Sequence, residues 1–135
     1  MRKNYTIIIP IFNEKSKLPD LLDNLKIYND LGHEILIVND GSTDGSEEIL
    51  SNCNFIQLLN LDKNSGKGFA IIKGLDLAKN NKIIIFDGDL ELDPIEIKKL
   101  MILNKHKKIN SVFANRFKHQ KERSIWNIGN KFFTI

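Results

Sequence analysis

The sequence has little of the material that builds disulfide-bonded, zinc-cluster or membrane-spanning proteins. Its 135 residues include one cysteine, Cys53, which excludes an internal disulfide and a site with several cysteine ligands. No run approaches the roughly 18 apolar residues of a membrane-spanning helix. The first residues lead directly into a strand-like segment, without the apolar core of a signal peptide. We therefore expect a cytoplasmic protein of one domain, in which Cys53 is a small, partly buried hydrophobic residue.

Two common phosphate-binding motifs are also missing. A Walker A loop with Lys67 as its lysine would need glycine in place of Leu61 and serine or threonine in place of Gly68. No Gly-x-Gly-x-x-Gly pattern follows the first predicted strand, so a dinucleotide-binding domain has no support. Three residues that often bind metals lack metal-ligand spacing and are expected at the surface: His33, His106 and His119.

The net charge of +3 conceals an uneven distribution. Residues 1–97 carry ten basic and sixteen acidic side chains, whereas residues 98–135 carry ten basic side chains and one acidic side chain. This pattern predicts a partner that carries phosphates, or peripheral contact of the basic, aromatic C-terminal segment with the cytoplasmic face of a membrane. Two alternatives are a solvated lysine-rich face and aromatic residues that close the core of the domain.

Short β-branched runs alternate with helical patterns, which predicts an α/β domain with a mainly parallel sheet flanked by helices. The run at residues 82–86 is apolar without alternation, so we expect it to be a central strand buried on both faces. The predicted strands are Tyr5–Pro10, Glu34–Asn39, Phe55–Leu59, Lys82–Phe86 and Ser111–Ala114.

Helices are predicted between these strands. Ser16 is the expected N-cap of the first helix, and Asp44 or Ser46 is expected to cap a short second helix. Asp93 and Pro94 predict the start of a fourth helix, with Glu96 as a capping-box acid. The apolar stripes are Leu18, Leu21, Leu22 and Leu25 in the first helix, and Ala70, Ile71, Gly74, Leu75 and Ala78 in the third.

Polar residues and glycines gather where the predicted strands end. In open α/β sheets the carboxyl ends of the strands form the ligand-binding edge, so a polar ligand is expected there. The four segments are Pro10-Ile11-Phe12-Asn13-Glu14, Asn39-Asp40-Gly41-Ser42-Thr43-Asp44, Lys63-Asn64-Ser65-Gly66-Lys67-Gly68 and Asp87-Gly88-Asp89-Leu90-Glu91.

The last segment suits a divalent cation. Asp87 and Asp89 follow a buried strand, and two carboxylates this close repel each other unless a cation lies beside them. Oxygen ligands of this kind suit Mg²⁺ or Mn²⁺, and Glu91 could add a third oxygen. The alternative is a solvated Asp-Gly turn.

Two other positions suit a nucleotide. The Asp40 carboxylate, at the end of the second strand, can accept a hydrogen bond from the imide N–H of a base. Lys67 and the small residues before it lie at the start of the third helix, which favours an anion.

Taken together, the four segments resemble the family-two inverting glycosyltransferases of the GT-A fold, especially the branch of dolichyl- and polyprenyl-phosphate mannosyl- and glucosyltransferases. A weaker match continues through Phe113-Ala114-Asn115-Arg116-Phe117 and Gly129-Asn130. The sequence departs from the usual pattern at Asn39, where an acid is frequent, and at Ala114-Asn115-Arg116, where Gly-Ser-Arg is more usual.

The resemblance implies a Rossmann-like GT-A sandwich and a role for each matched residue. Pro10, Phe12 and Glu14 would line the nucleoside pocket, and Arg116 would face a phosphate. The other implied contacts are Asp40 with the base, Lys67 with the nucleotide sugar, and Asp87, Asp89 and Glu91 with Mg²⁺ or Mn²⁺. Asp89 and Arg116 are the residues expected to serve catalysis.

The implied activity is metal-dependent, inverting transfer of a sugar from a UDP or GDP donor to a polyprenyl phosphate or another cell-envelope acceptor, without a nucleic-acid partner. Residues 1–135 would form the nucleotide-sugar-binding, N-terminal portion of a longer catalytic domain. Three alternatives are a truncated domain that binds the nucleotide sugar without turnover, a phosphatase of the haloacid dehalogenase type, and a sugar nucleotidyltransferase. The phosphatase pattern would need threonine or valine where Glu91 stands.

Overall fold

The computed structural model describes residues 4–101, which form a parallel four-stranded sheet in the order β3-β2-β1-β4. The strands are β1 (Thr6–Ile11), β2 (Glu34–Asn39), β3 (Gln57–Asn60) and β4 (Ile83–Ile85). β1 pairs with both β2 and β4, and β2 pairs with β3. The expected α/β class and four of the predicted strands are confirmed, whereas the predicted strand Ser111–Ala114 lies outside the described residues.

Helices cover both faces of the sheet. They are α1 (Leu18–Asp30), α2 (Ser46–Ser51), α3 (Lys67–Leu77) and α4 (Ile97–Leu100), the last preceded by a 3₁₀ turn at Pro94–Glu96. Because successive strand residues point to opposite faces, Ile7 and Ile9 pack with α1, whereas Ile8 packs with α3. One sheet therefore separates two apolar layers.

The layer beneath α3 is thin because a glycine faces the sheet. Gly74 is buried, and a Cβ atom there would lie 2.7 Å from Cγ2 of Ile8 and 3.2 Å from Cγ2 of Val38. Such contacts are too short for an added methyl group, so the glycine lets α3 approach the sheet closely. The start of α3 is thereby held near the carboxyl ends of the strands.

The expected N-cap at Ser16 is wrong. Lys17 is the capping residue of α1, and no side chain caps this helix. The reason lies in the preceding turn, where the Lys17 N–H donates to the carbonyl of Glu14 at 2.9 Å and Pro19 occupies the first turn of the helix. The backbone turn thus begins α1 without help from a hydroxyl group.

The expectation that β4 is central and buried on both faces is not met within residues 4–101. β4 lies at the edge of the sheet there, and Ile85 is 42% exposed. The strands with neighbours on both sides are β1 and β2, whose residues are almost entirely buried. The apolar run alone did not distinguish a central strand from an edge strand.

The predicted cap before α4 is confirmed. The Asp93 carboxylate accepts a hydrogen bond from the Ile95 N–H at 2.9 Å. The buried Tyr28 hydroxyl donates to the Pro94 carbonyl at 2.6 Å, which ties this turn to α1. None of the helices in the described part of the chain is long and apolar enough to cross a bilayer.

His33, expected at the surface, is half-buried immediately before β2, and we expect it to make folding stability depend on pH. Its Nδ1 accepts a hydrogen bond from the Tyr5 N–H at 3.2 Å, which requires a neutral ring, and burial lowers its pKa below 6.5. The unfolded chain therefore binds a proton at His33 more readily than the folded chain does. The stability that His33 contributes is fully present above pH 6.5 and declines as the pH falls below it.

We predict that the urea midpoint of the protein is lower at pH 5.5 than at pH 7.5, and that His33→Asn makes this difference smaller. The asparagine carbonyl can accept the same hydrogen bond without titrating. Equal pH dependence of the two urea midpoints would show that His33 does not contribute.

Candidate active site at the carboxyl edge of the sheet

The loops that follow the four strands meet at one edge. The strands are parallel and in register, with Ile11 beside Asn39 and Asn39 beside Asn60. Their carboxyl ends therefore lie side by side, as the sequence predicts. Much of this edge is open, because the residues at 62–69 are exposed and Phe12 is 44% exposed.

Asn13 joins the loop after β1 to the loop after β2. It adopts a positive φ of 52°, a conformation that asparagine tolerates better than most residues. Its N–H donates to Oγ of Ser42 at 3.0 Å, and its Oδ1 accepts from the Thr43 N–H at 2.8 Å. This role of Asn13 was not predicted from the sequence, although asparagine in a loop after a strand often indicates such a turn.

Asp44 strengthens the same junction. Its Oδ2 accepts from the Lys15 N–H at 2.9 Å, and its Oδ1 accepts from the Ser46 N–H at 2.9 Å and from the Ser46 hydroxyl at 2.6 Å. The Ser46 hydroxyl bond and then the backbone donors lower the pKa of Asp44, because they stabilise the charged form. The predicted cap at Asp44 or Ser46 is wrong, because Gly45 is the N-cap of α2 and no side chain makes the cap hydrogen bond. Asp44 instead binds the first residue of the helix from the turn before it.

Asp40 is buried and binds the backbone of the loop after β3. Only 2% of the residue is exposed. Its Oδ1 accepts from the Ser65 N–H at 2.8 Å, and its Oδ2 accepts from the Gly66 N–H at 2.9 Å. The structure therefore uses both oxygens to position the loop that leads into α3. The predicted contact between Asp40 and a base stays a prediction.

Gly41 lets the two loops touch. It has a positive φ of 71°, and a Cβ atom there would lie 2.8 Å from the Lys63 Cα and closer still to the Asn64 backbone N. Any other side chain would push the loop after β3 away from β2. This close approach allows the Asp40 carboxylate to reach the amides at 65 and 66.

Lys67 and Asp87 come together from different elements of the fold. Lys67 is the first residue of α3, and Asp87 follows β4, yet the Lys67 ammonium forms an ion pair with Oδ1 of Asp87. Their side chains are 56% and 25% exposed, respectively. Two residues predicted to bind the nucleotide sugar thus lie in direct contact.

The segment after Asp87 is fixed by a glycine and a turn. A Cβ atom on buried Gly88 would collide with Ile11 and lie 3.2 Å from Cγ2 of Ile9, so the backbone here packs directly on β1. Asp89 Oδ1 accepts from the Glu91 N–H at 3.0 Å, and Leu90 between them has a positive φ of 57°. This turn holds the predicted metal-binding segment at the sheet edge.

Glu14 and Lys17 lie near the same segment. The Lys17 ammonium is 3.0 Å from Oε2 of Glu14. This hydrogen bond is the main cause that raises the pKa of Lys17, and the negative charges of Glu14, Asp89 and Glu91 raise it further. The structure therefore brings Glu14 from the first loop into the electrostatic surroundings of Asp89 and Glu91.

The carboxylates of this edge suit a metal ion that is shared with a phosphate ligand. Among residues 4–101, no three acidic, histidine or cysteine side chains form a group that could hold a metal ion, so Asp87, Asp89 and Glu91 are not gathered into one such set. Mg²⁺ and Mn²⁺ in nucleotide sites commonly take one or two carboxylates and complete their shell with phosphate oxygens and water. Asp87 and Asp89 meet that smaller requirement.

The remaining predicted positions have different outcomes. Pro10 lies within β1 and is half-buried, whereas Phe12 follows the strand and is exposed. Arg116 lies outside the residues that the structure describes. Phe12 and Glu14 thus lie in the loop after β1, and their predicted contact with a nucleoside stays a prediction.

Comparison with known proteins identifies the family. A model of the family described as Glycosyl transferase family 2 matches residues 6–134. The undecaprenyl-phosphate 4-deoxy-4-formamido-L-arabinose transferase of Aeromonas hydrophila is 33% identical over 109 residues, which cover 73% of this chain and 33% of that protein. The chain spans well under half the length of the curated relatives it matches.

Solved structures confirm the expected GT-A-like architecture. The crystal structure of S. aureus TarS matches with a TM-score of 0.66 and 20% identity, over 84% of this chain and 23% of that one. The mannosyltransferase PcManGT from Pyrobaculum calidifontis, in complex with GDP-Man and Mn²⁺, matches with a TM-score of 0.53 and 26% identity. That match covers 63% of this chain and 27% of the other.

We predict that Asp40→Asn lowers the free energy of unfolding by about 2 kcal/mol, because one of two hydrogen bonds to a buried charge is replaced by a clash between donors. The backbone amides of Ser65 and Gly66 should also exchange hydrogen faster, as measured by NMR.

The matched control is Asp76→Asn, at an exposed position of α3. If Asp40→Asn left the protection of both amides unchanged, Asp40 would not be what holds this loop.

Proposed function

This chain belongs to glycosyl transferase family 2, and we propose that the carboxyl edge of its sheet binds the nucleoside diphosphate of an activated sugar. We further propose that the whole protein transfers that sugar to a polyprenyl phosphate. The observation that carries the proposal is the contact between Lys67 and Asp87 beside Asp89. It places an exposed cation and two partly exposed carboxylates together at this edge.

The relatives support both the donor and the acceptor. The Aeromonas protein is named an undecaprenyl-phosphate 4-deoxy-4-formamido-L-arabinose transferase. The Pyrobaculum mannosyltransferase was solved with GDP-Man and Mn²⁺. We extend these properties to the present protein as a proposal.

In the proposed mechanism, Asp87 and Asp89 would hold a Mg²⁺ or Mn²⁺ ion together with the diphosphate. An ion bound there would neutralise the negative charge that develops on the leaving diphosphate. Asp89 is held in position by its turn with the Glu91 N–H, so its carboxylate is preorganised. Lys67 would contribute a second positive charge on the same side of the leaving group.

The proposed acceptor does not require a strong base in the protein. A phosphate monoester has a second pKa near 6, so it is mostly a dianion at neutral pH and can attack directly. A single displacement inverts the anomeric carbon. The residues proposed to hold this anion are Arg116, Lys118, Lys121 and Arg123, all of which lie outside the described residues, as does the proposed membrane contact of the basic segment.

The family membership excludes the haloacid dehalogenase and nucleotidyltransferase alternatives. The Asp-x-Asp segment follows β4, and the residues around it match a glycosyltransferase family along the chain. Binding of the nucleotide sugar without turnover remains an alternative outcome for the 135-residue chain. Measuring binding and transfer separately distinguishes the two, with membrane extract supplying the acceptor.

We predict that Asp89→Ala weakens binding of UDP-glucose or GDP-mannose in the presence of Mn²⁺ by about tenfold or more. The loss of one charge-assisted contact of about 1.5 kcal/mol corresponds to this factor. Isothermal titration calorimetry measures the affinity with Mn²⁺ and with EDTA.

The control for this experiment is Asp23→Ala on the exposed side of α1, which should bind as the unchanged protein does. Equal affinity of Asp89→Ala and the unchanged protein, with the same dependence on Mn²⁺, would remove Asp89 from the proposed site.

A further inference from the structure

The ion pair between Lys67 and Asp87 has an unusual setting. The Asp87 side chain is three-quarters buried, whereas the Lys67 side chain is more than half exposed. Burying a charged carboxylate costs free energy, and a nearby positive charge offsets part of that cost. The Lys67 ammonium supplies that charge in the protein without ligand.

The surroundings of this pair are negative. Asp89 lies two residues after Asp87, and the charges of Asp89 and Glu91 reach as far as Lys17. Lys17 itself is paired with Glu14. Lys67 thus places a positive charge in direct contact with the first carboxylate of the Asp-x-Asp segment.

The backbone of Lys67 is held in place by its neighbours, whereas its side chain is 56% exposed. Ser65 and Gly66 are bound to the buried Asp40 carboxylate, and Gly66 has a φ of 92° that directs the chain into α3. A lysine has a flexible four-carbon stem and a compact charge. The ammonium can therefore leave Asp87 without any change in the loop or the helix.

We infer that Lys67 is the resident counter-ion of the Asp-x-Asp segment, and that it leaves Asp87 for the phosphate oxygens when a divalent cation and the diphosphate bind. The inference rests on the proposed function, because it assigns one residue of that site two successive partners. Two positive groups on the same carboxylate oxygen repel each other, so Lys67 and the divalent cation compete for Asp87. Lys67 therefore weakens the binding of the metal alone and strengthens the binding of the metal together with a diphosphate.

The experiment measures Mn²⁺ binding by electron paramagnetic resonance, without nucleotide, for the unchanged protein, Lys67→Met, Lys67→Arg and Lys73→Met. Lys73 is the matched control, since it lies on the same helix over the ring of Phe69. Lys67→Met should bind Mn²⁺ about fivefold more tightly than the unchanged protein, the size expected for one neighbouring unit charge in a solvent-accessible site. Lys67→Arg and Lys73→Met should resemble the unchanged protein.

A second titration adds UDP or GDP at a saturating concentration of Mn²⁺. Here Lys67→Met should bind the nucleotide at least threefold more weakly than Lys73→Met, because the charge that moves to the phosphates is missing. Lys67→Met should thus strengthen Mn²⁺ binding but weaken nucleotide binding. This opposite pair of effects distinguishes a lysine that changes partner from a general change in surface charge. Equal Mn²⁺ affinity of Lys67→Met and Lys73→Met, or no detectable Mn²⁺ binding by Lys67→Met, would overturn the inference.

A double-mutant cycle tests the ion pair without any metal. Lys67→Met should lower the urea midpoint of the unchanged protein and leave that of Asp87→Asn unchanged, because its partner charge is already gone. An equal effect in both backgrounds would contradict the pairing. The proposed function fails separately, if UDP- and GDP-sugars do not bind to the unchanged protein in the presence of Mn²⁺.

Discussion

The geometry of the site depends on one buried carboxylate. Asp40 ends β2, accepts hydrogen bonds from Ser65 and Gly66, and so attaches the loop after β3 to the centre of the sheet. Without this contact, nothing among the described hydrogen bonds would fix the amides that lead into α3. The position of Lys67, and therefore its contact with Asp87, follows from where this loop is held.

The parallel sheet supplies the second constraint. Because all four strands run in the same direction, their carboxyl ends lie at one edge. Residues far apart in the sequence, such as Lys67 and Asp87 or Asn13 and Thr43, become neighbours there. Three glycines allow close approach: Gly41 to the backbone of the loop after β3, Gly74 to the side chains of Ile8 and Val38, and Gly88 to the side chain of Ile11. The close packing of glycines thus converts a shared edge into an ordered site.

Most of the fold was predictable from periodicity, and the exceptions have physical causes. The stripe of α1 and the strand Glu34–Asn39 were found correctly, since alternation and helical spacing are local signals. The edge position of β4 depends on its pairing with β1, which no local pattern encodes. Ser16 failed as a cap because the turn between Glu14 and Lys17 begins the helix instead.

The members of the site were predictable, whereas their mutual contacts were not. Asp87, Asp89 and Lys67 were identified from residue type and position after a strand. The partnership of Asp40 with two amides depends on the approach of Gly41 to Lys63, which is visible only in three dimensions. Residue type therefore predicted which side chains belong to the site. The packing of the loops determines which of these side chains contact each other.

The most direct test of this account is paramagnetic broadening in the NMR spectrum of the labelled protein with Mn²⁺ and UDP or GDP. If the carboxyl edge is one site, the amide signals of Gly66, Gly88 and Asp89 should broaden together. The signals of Gly32 and Asn80, which precede β2 and β4 at the amino ends of the strands, should stay sharp. Broadening centred on Gly32 and Asn80, or spread evenly over the sheet, would contradict the account.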